Sequence, residues 1–310
     1  MEEYDRLAGM HEQIGDDFLV TAEPLLGVPW LEAMVGCPIH ISSTGGMAAK
    51  PVPSAETIQS LSVSADNPWL EASLNFLKTA AGHAAGRYPV SVGHLRGPTD
   101  ILFAMLGSEL FFLSFYDQPE KIRTLAHMAA HAWTEAVRAQ SSVVPLYHGG
   151  YVLRWFGLWA PQPTVWYQED ASTMISGEMY RDLFLAATRE AMILPYTTFH
   201  LHSPSLHIVD LILEANLPNL RAFNINMDPA GIPIEQAIPI LQRIQARQKA
   251  LILSKDLYEN FTLEEYREIL NGLSPRGLCV WLDGQSVEQA CEILALAKEQ
   301  SGKSLRKIFS

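Results

Sequence analysis

Cysteine is scarce in this 310-residue chain. Cys37, Cys279 and Cys291 are odd in number, far apart and free of any Cys-x-x-Cys spacing. That excludes a disulfide framework and points to a reducing compartment, so the cytoplasm is the expected location. Positive charge is also short: 22 Lys and Arg stand against 34 acidic residues, a formal net charge of −12. The chain therefore lacks the basic footprint that nucleic acid or an anionic membrane would require of a partner. Long unbroken apolar runs are missing too. Stretches such as "ALILS" and "LFLAA" fall well short of the ~18 residues of a membrane span. The acidic start "MEEYDRLAGMHEQIGDDFLV" has no basic segment leading into an apolar one, as a signal peptide would. No Gly-rich phosphate fingerprint follows an expected strand, which weakens a dinucleotide-binding, doubly wound fold.

What is present is ample apolar material, 48% of residues, enough to bury a large core without staples. Residues 1 to about 60 carry Pro24, Pro29, Pro38, Pro51, Pro53 and the Gly-rich "SSTGGM". They read as an arm of short helices and turns. A helix is expected over 67–86, capped by Asn67 with Pro68 in its first turn, followed by a short strand "YPVSV" (88–92) and a helix starting near Pro98. The clearest helix is 118–140, where Leu125, Met128, Ala129, Trp133 and Val137 recur close to a 3.6 period. From about residue 141 strands and helices alternate. "SSVVPLY" and "TVWYQED" read as strands around a loop of aromatics. A helix over 176–193 follows, then strands at "TTFHLHS", "LRAFNINMD", "KALILS" and "GLCVWLD" separated by helices. Such alternation means a parallel sheet with helices outside. The unit spacing and the total length suit a (β/α)8 TIM-type barrel of the α/β class. The expected organisation is an N-terminal arm, 1–60, packing on a barrel, 61–310.

Barrel chemistry sits at the C-terminal ends of strands, and these ends are polar: His94 and Arg96, His148, Glu169 and Asp170, His200 and His202, Asn224, Asn226 and Asp228, Lys255 and Asp256, and Asp283. Residues two apart on a strand share a face, so His200 and His202 project together, while the adjacent Glu169 and Asp170 face opposite ways. Polar strand ends also cap helices, and a paired histidine can simply bond neighbouring carbonyls. His207, after the Ser-Pro-Ser bend, reads as a bystander, and Cys37, with His40 three residues on, as a buried structural residue in the first instance and a ligand or nucleophile in the second. The aromatics Tyr151, Trp155, Phe156, Trp159, Trp166 and Tyr167 either line a pocket for a flat group or pack the barrel.

Three blocks together resemble the uroporphyrinogen decarboxylase superfamily, which includes corrinoid-linked methyltransferases: "LRGPTDILFAMLGSELFFLSFYDQPEKIRTLAHM", "VWYQEDASTMISGEMYRDLFLAATREAM" and "FHLHSPSLHIVDLILE". The likeness runs from about residue 85 to the C-terminus and implies a distorted (β/α)8 barrel. The arginine-bearing N-terminal segment of the decarboxylases has no counterpart, which argues against a substrate with eight carboxylates. The methyltransferase branch binds zinc through His-x-Cys at this strand end and a later Cys, so that the metal can hold a thiol substrate as thiolate. Here His202 replaces the Cys. The last strand offers Asp283 at its end, with Cys279 four residues earlier.

The resemblance thus implies a methyltransferase moving a methyl group between a small substrate and a corrinoid (cobalamin) on a partner protein. Zinc or another divalent metal would be held by His200, His202 and Asp283. A His/His/carboxylate set suits a harder, oxygen-binding substrate more than a thiol. Asp170 and His202 are the expected catalytic groups, and His94, Arg96, His148, Trp166 and Asn226 the expected substrate contacts. Two alternatives stay open: a divergent decarboxylase of a small carboxylated or tetrapyrrole substrate, with Asp170 as the polar catalyst, and a non-catalytic corrinoid- or tetrapyrrole-binding barrel. A homodimer stays open as well, since the sequence does not set the oligomeric state.

Overall fold

A computed structural model describes residues 2–24, 27–52, 58–255, 260–282 and 286–308, with side chains to residue 299. The arm carries helices α1 (Glu2–Ile14) and α2 (Trp30–Met34) and an antiparallel hairpin of β1 (Ile39–Ile41) and β2 (Met47–Ala49). Helix α3 (Pro68–Ala84) starts where the sequence expects it. Asn67 Oδ1 accepts from the N–H groups of Trp69 and Leu70, and Pro68 takes the first turn, where its missing donor costs nothing. Strand β3 (Leu95–Arg96) leads into α4 (Pro98–Asp117) and α5 (Pro119–Ser141). A second antiparallel hairpin, β4 (Tyr151–Leu153) with β5 (Leu158–Ala160), precedes β6 (Thr164–Gln168). Then follow α6 (Gly177–Leu183), α7 (Leu185–Ala191), β7 (Tyr196–His202), α8 (Val209–Glu214), β8 (Leu220–Asn226) and α9 (Ile234–Ala246). The chain ends with β9 (Ala250–Ser254), α10 (Leu263–Gly272), β10 (Leu278–Val280) and α11 (Val287–Ile308).

The α/β alternation makes one six-stranded parallel sheet in the order β10-β9-β8-β7-β6-β3. Among the described residues no strand joins its two edges into a closed eight-stranded ladder. The arm instead touches both. Ala22 pairs with the segment before β3, its N–H reaching Pro89 O and its carbonyl accepting from Ser91, both at 2.9 Å. Phe18 sets its ring 6.3 Å from Trp281, just past β10.

Three expectations are corrected. "YPVSV" contributes that single bridge at Val90 rather than a full strand. "SSVVPLY" is no strand, because α5 runs on to Ser141 and Pro145 lacks the N–H a ladder needs; the chain closes instead in a tight turn between Tyr147 and Gly150. The helix over 176–193 divides at Phe184, whose φ of −123° leaves the helical region; its fully buried ring packs against Phe111, Phe115 and Tyr180. Among the described helices α4 alone is long and apolar enough to cross a membrane. It kinks at Gly107 (φ 70°), and its Ile101, Leu102, Met105, Leu106 and Phe111 are buried inside the fold.

Alternation divides the sheet into two unlike faces. Toward the helices point Val165, Tyr167, Phe199, Leu201, Phe223, Ile225, Leu251 and Leu253, all 0–1% exposed. Trp133 of α5 meets Tyr167 edge-on at 5.1 Å and donates its indole N–H to Leu95 O. Each such side chain contributes about 1.5–3 kcal/mol through burial. On the opposite face the register aligns Arg96, Gln168, His200, Asn224, Ile252 and Cys279 in one row, with His202, Asn226 and Ser254 in the next row toward the strand ends. Below them Ala222 and Ala250 are small, and Leu153 and Phe156 from the β4–β5 hairpin fill the space.

Gly97, between β3 and α4, lets the backbone pass against the end of β6. Its N–H reaches Gln168 O at 2.8 Å, and an added Cβ would lie 2.5 Å from that oxygen and 2.8 Å from Glu169 Oε1. Gly97→Ala should therefore destabilise the fold by about 1–3 kcal/mol. An unchanged midpoint in urea denaturation would contradict this close approach.

Candidate metal centre

His200 and His202 leave β7 on the same side, as the two-residue period requires. Asp170 arrives at the end of β6, where a short 3-10 helix, Asp170–Met174, opens. The backbone there is held by Asp100 in the first turn of α4, whose carboxylate accepts from the N–H groups of Asp170 (3.1 Å) and Ala171 (2.7 Å). Glu169 turns the other way, into the helix layer, where Thr99 and the Tyr167 hydroxyl bond its carboxyl.

Asp170 Oδ1 lies 3.4 Å from His200 Nε2 and 3.3 Å from His202 Nε2, and the three donor atoms fall within 4.8 Å of one another. A tetrahedral ion with ligands at ~2.1 Å has ligand–ligand edges of roughly 3.4 Å, so the carboxylate edges already have the right span. Asp170 Oδ1 is buried without a hydrogen-bond partner, while Gln168 Nε2 donates to Oδ2.

The far side of each imidazole is occupied. Asn224 Oδ1 faces His200 Nδ1, and that amide's orientation is set by its Nδ2, which donates to Ile252 O (3.3 Å) and Ser254 Oγ (3.2 Å). Asp228 Oδ1 lies 2.7 Å from His202 Nδ1, and Asp228 is itself held by the Ser203 N–H and by Asn226 Nδ2. Both Nδ1 atoms therefore donate, which leaves both Nε2 atoms turned toward Asp170, the outer-sphere arrangement that orients metal-binding histidines.

The charges match. Burial pushes the Asp170 carboxyl up, but His200 and His202 outweigh it and hold it well below the usual carboxylate range. Burial lowers His202, yet Asp170 and Asp228 raise it to about 10, so without a metal it carries a proton between two carboxylates. Burial takes His94 down to about 4, against the opposing bond to Gln168, and leaves it neutral. The donor set is two nitrogens and one oxygen. Cys37 is buried in the arm and Cys291 is exposed. Cys279 sits three strands from β7, its thiol pushed up to about 11 by burial.

Of the residues expected at the site, Asp170, His200 and His202 come together, with Asn226 beside them bridging Asp228 and Ser254. Trp166 meets His200 nearly perpendicular at 4.6 Å and stacks on His94 at 4.7 Å, and is joined by Trp155 and Phe156. His94 bonds Gln168 through Nε2. Arg96 gives one guanidinium nitrogen to the buried Glu32 at 2.8 Å and lies close enough to Asp100 and Asp170 for their charges to favour its cation. His148 is not brought in: it is exposed in the Tyr147–Gly150 turn, against Tyr147. Asp283 and Asp256 lie outside the described residues. His207 sits between the carbonyls of Pro204 and Ile175. Asp100 and Gln168 were missed. For Gln168 a signal existed, since it stands two residues before Asp170 on the same strand face.

No protein-family model matches the chain, and no curated protein matches it in sequence. Solved structures do match. One is a methyltransferase from Methanosarcina mazei, with a TM-score of 0.65 and 14% identity over 94% of this chain and 83% of that one. At that identity the likeness shows the fold alone.

Two expected outcomes follow from the charges. A divalent cation here must displace the His202 proton, so its apparent affinity should rise about tenfold per pH unit for each proton released. Calorimetric titration with Co2+ between about pH 6 and about pH 7.5, in buffers of different ionisation enthalpy, reads both slope and proton count; a flat affinity contradicts the site. Burial raises Glu169 from 4.5 to about 7, so its contribution to stability is full below 4.5 and fades as pH rises through 7. Glu169→Gln should gain stability relative to the parent between about pH 5 and about pH 8, and urea midpoints that move in parallel would refute this.

Proposed function

We propose that this chain is a metal-assisted methyltransferase of the uroporphyrinogen decarboxylase-like superfamily. It would move a methyl group between a small substrate and a corrinoid carried on a partner protein. The observation that carries the reading is the convergence of His200 Nε2, His202 Nε2 and the unpartnered Asp170 Oδ1 at the strand ends. The fold shared with the Methanosarcina mazei methyltransferase supports it. The finer architecture proposed is a distorted (β/α)8 barrel, with the arm standing in the gap between β3 and β10, where Ala22 and Phe18 touch the two edges.

A zinc or other divalent cation bound here supplies one thing: it keeps a substrate thiol or hydroxyl ionised at neutral pH, ready to exchange a methyl group with cobalt. The chain's own residues do the rest. Asn224 and Asp228 fix the imidazoles with Nε2 turned to the cation. Asp170, held by Asp100 and Gln168, supplies the negative charge. Trp166, Trp155 and Phe156 make a dry floor beneath His200, where charge interactions are less screened. Arg96, in the same row as Gln168 and His200, is placed to hold an anionic part of the substrate.

A second reading rests on His202 being held as a cation between Asp170 and Asp228. In a lyase acting on a small carboxylate, Arg96 would bind the carboxylate and His202 would protonate the carbanion left when carbon dioxide departs.

The deciding experiment is methyl transfer from methylcobalamin to simple thiols and alcohols, followed by the corrinoid spectrum, with metal content measured in parallel. Purified protein should hold close to one divalent ion. His200→Ala and His202→Ala should each lose on the order of 100-fold or more in metal affinity and in rate. Metal-free protein that neither transfers methyl groups nor changes on His200→Ala would sink this reading and leave the lyase.

A further inference from the structure

His94 faces the cluster without reaching the candidate ligand atoms. It touches both sides of the triad through intermediaries. Its Nε2 meets Gln168 Oε1, and Gln168 Nε2 donates to Asp170 Oδ2. Its ring face lies on Trp166 (4.7 Å between centroids, 24° between planes), and Trp166 meets His200 nearly perpendicular at 4.6 Å.

The directions in this relay are fixed by chemistry. A carboxylate oxygen only accepts, so Gln168 must turn its amide nitrogen to Asp170 and its oxygen to His94. An amide oxygen also only accepts, so His94 must carry its hydrogen on Nε2. In the other tautomer two lone pairs would face each other in a buried site, which drives the amide to flip and places its oxygen against the Asp170 carboxylate. We propose that His94 is a positioning residue: its Nε2–H orients Gln168, which ties down Asp170 Oδ2 and leaves only Oδ1 for a metal. Asp170 is then a one-oxygen ligand, and a coordination position stays open for substrate. Without the relay the carboxylate is free to rotate and offer both oxygens, closing that position. The inference rests on the metal reading above and adds what sets the denticity.

The test uses Co2+ as probe, because its visible absorption reports coordination number. His94→Phe keeps a ring for Trp166 and loses the donor; His94→Gln keeps a donor at similar reach. The parent should give the strong absorption of a low-coordinate ion. His94→Phe should bind about 10–100-fold more weakly with the weaker band of a higher-coordinate ion, and His94→Gln should restore the parent spectrum. Gln168→Leu, which breaks the relay at its second member, should match His94→Phe. Nitrogen-15 spectra of the parent's histidines give a reading that needs no variant: His94 should be neutral with hydrogen on Nε2. A parent that binds no Co2+ overturns the metal reading and this inference with it. A parent that binds Co2+, with His94→Phe unchanged in affinity and spectrum, overturns the inference alone, as does hydrogen on Nδ1.

Discussion

The interaction on which the cluster depends is the approach of Asp170 Oδ1 to two imidazoles with no hydrogen bond of its own. A buried carboxylate oxygen left unpaired costs more than a neutral group would, and the neighbouring structure offsets that cost with charge rather than with a donor. The neighbouring backbone and amide donors are all engaged elsewhere. Asp100 takes the local backbone N–H groups and Gln168 the other carboxylate oxygen, while Asn224 and Asp228 draw the imidazole hydrogens to the far side. In the metal-free protein His202 fills the gap by holding a proton, raised to about 10 by Asp170 and Asp228 against the effect of burial. A cation placed there would replace one positive charge with two and release that proton.

The strand period made much of this legible beforehand. It placed His200 and His202 on one face, sent Glu169 and Asp170 opposite ways, and aligned Asn224, Asn226 and Asp228. The register bears out the strand part of that geometry, and the contacts of Glu169, Asp170 and Asp228 the rest. What stayed hidden has a common cause. Asp100 meets Asp170 across 70 positions of sequence, and His94 meets Gln168 across 74. Neither pairing leaves a periodic trace, because each depends on which strands become neighbours in the sheet. His148 misled for the opposite reason. "VVPLY" has the composition of a strand, but Pro145 and the length of α5 keep it out of the sheet, so the histidine after it sits in a turn.

The two faces of the sheet carry different loads. Toward the helices, Tyr167, Phe199 and Phe223 meet ring against tilted ring from strand to strand and supply stability. That lets the other face hold buried polar groups, which stabilise little in net terms and are costly only if left unpaired. Ala222 and Ala250 are small for the same packing reason: the hairpin's Leu153 and Phe156 fill the space beside them, so that end is closed by apolar matter. The polar row thus sits between a dry floor and the strand ends, where Asp170 remains 38% exposed. Among the described residues, that exposed end is where a substrate meets the cluster.

The donor set narrows what a cation there could do. A thiolate ligand is soft and favours zinc or copper(I) with sulfur substrates, whereas imidazole and carboxylate together accept zinc, iron, manganese or cobalt and prefer oxygen donors. Cys279 cannot soften the set. It is three strands away, and burial keeps its thiol protonated. A histidine rather than a cysteine at position 202 has a further consequence. A thiolate would bring its own negative charge, leaving Asp228 with no imidazole hydrogen to accept. Instead the imidazole spends its second nitrogen on Asp228, which Ser203 and Asn226 fix in turn. The exchange of sulfur for nitrogen therefore trades charge on the ligand itself for charge one bond further out. A cation held there would be a stronger Lewis acid than a thiolate-bound one, because less electron density would be donated to it directly. Such an ion suits the ionisation of a hydroxyl, a weaker acid than a thiol.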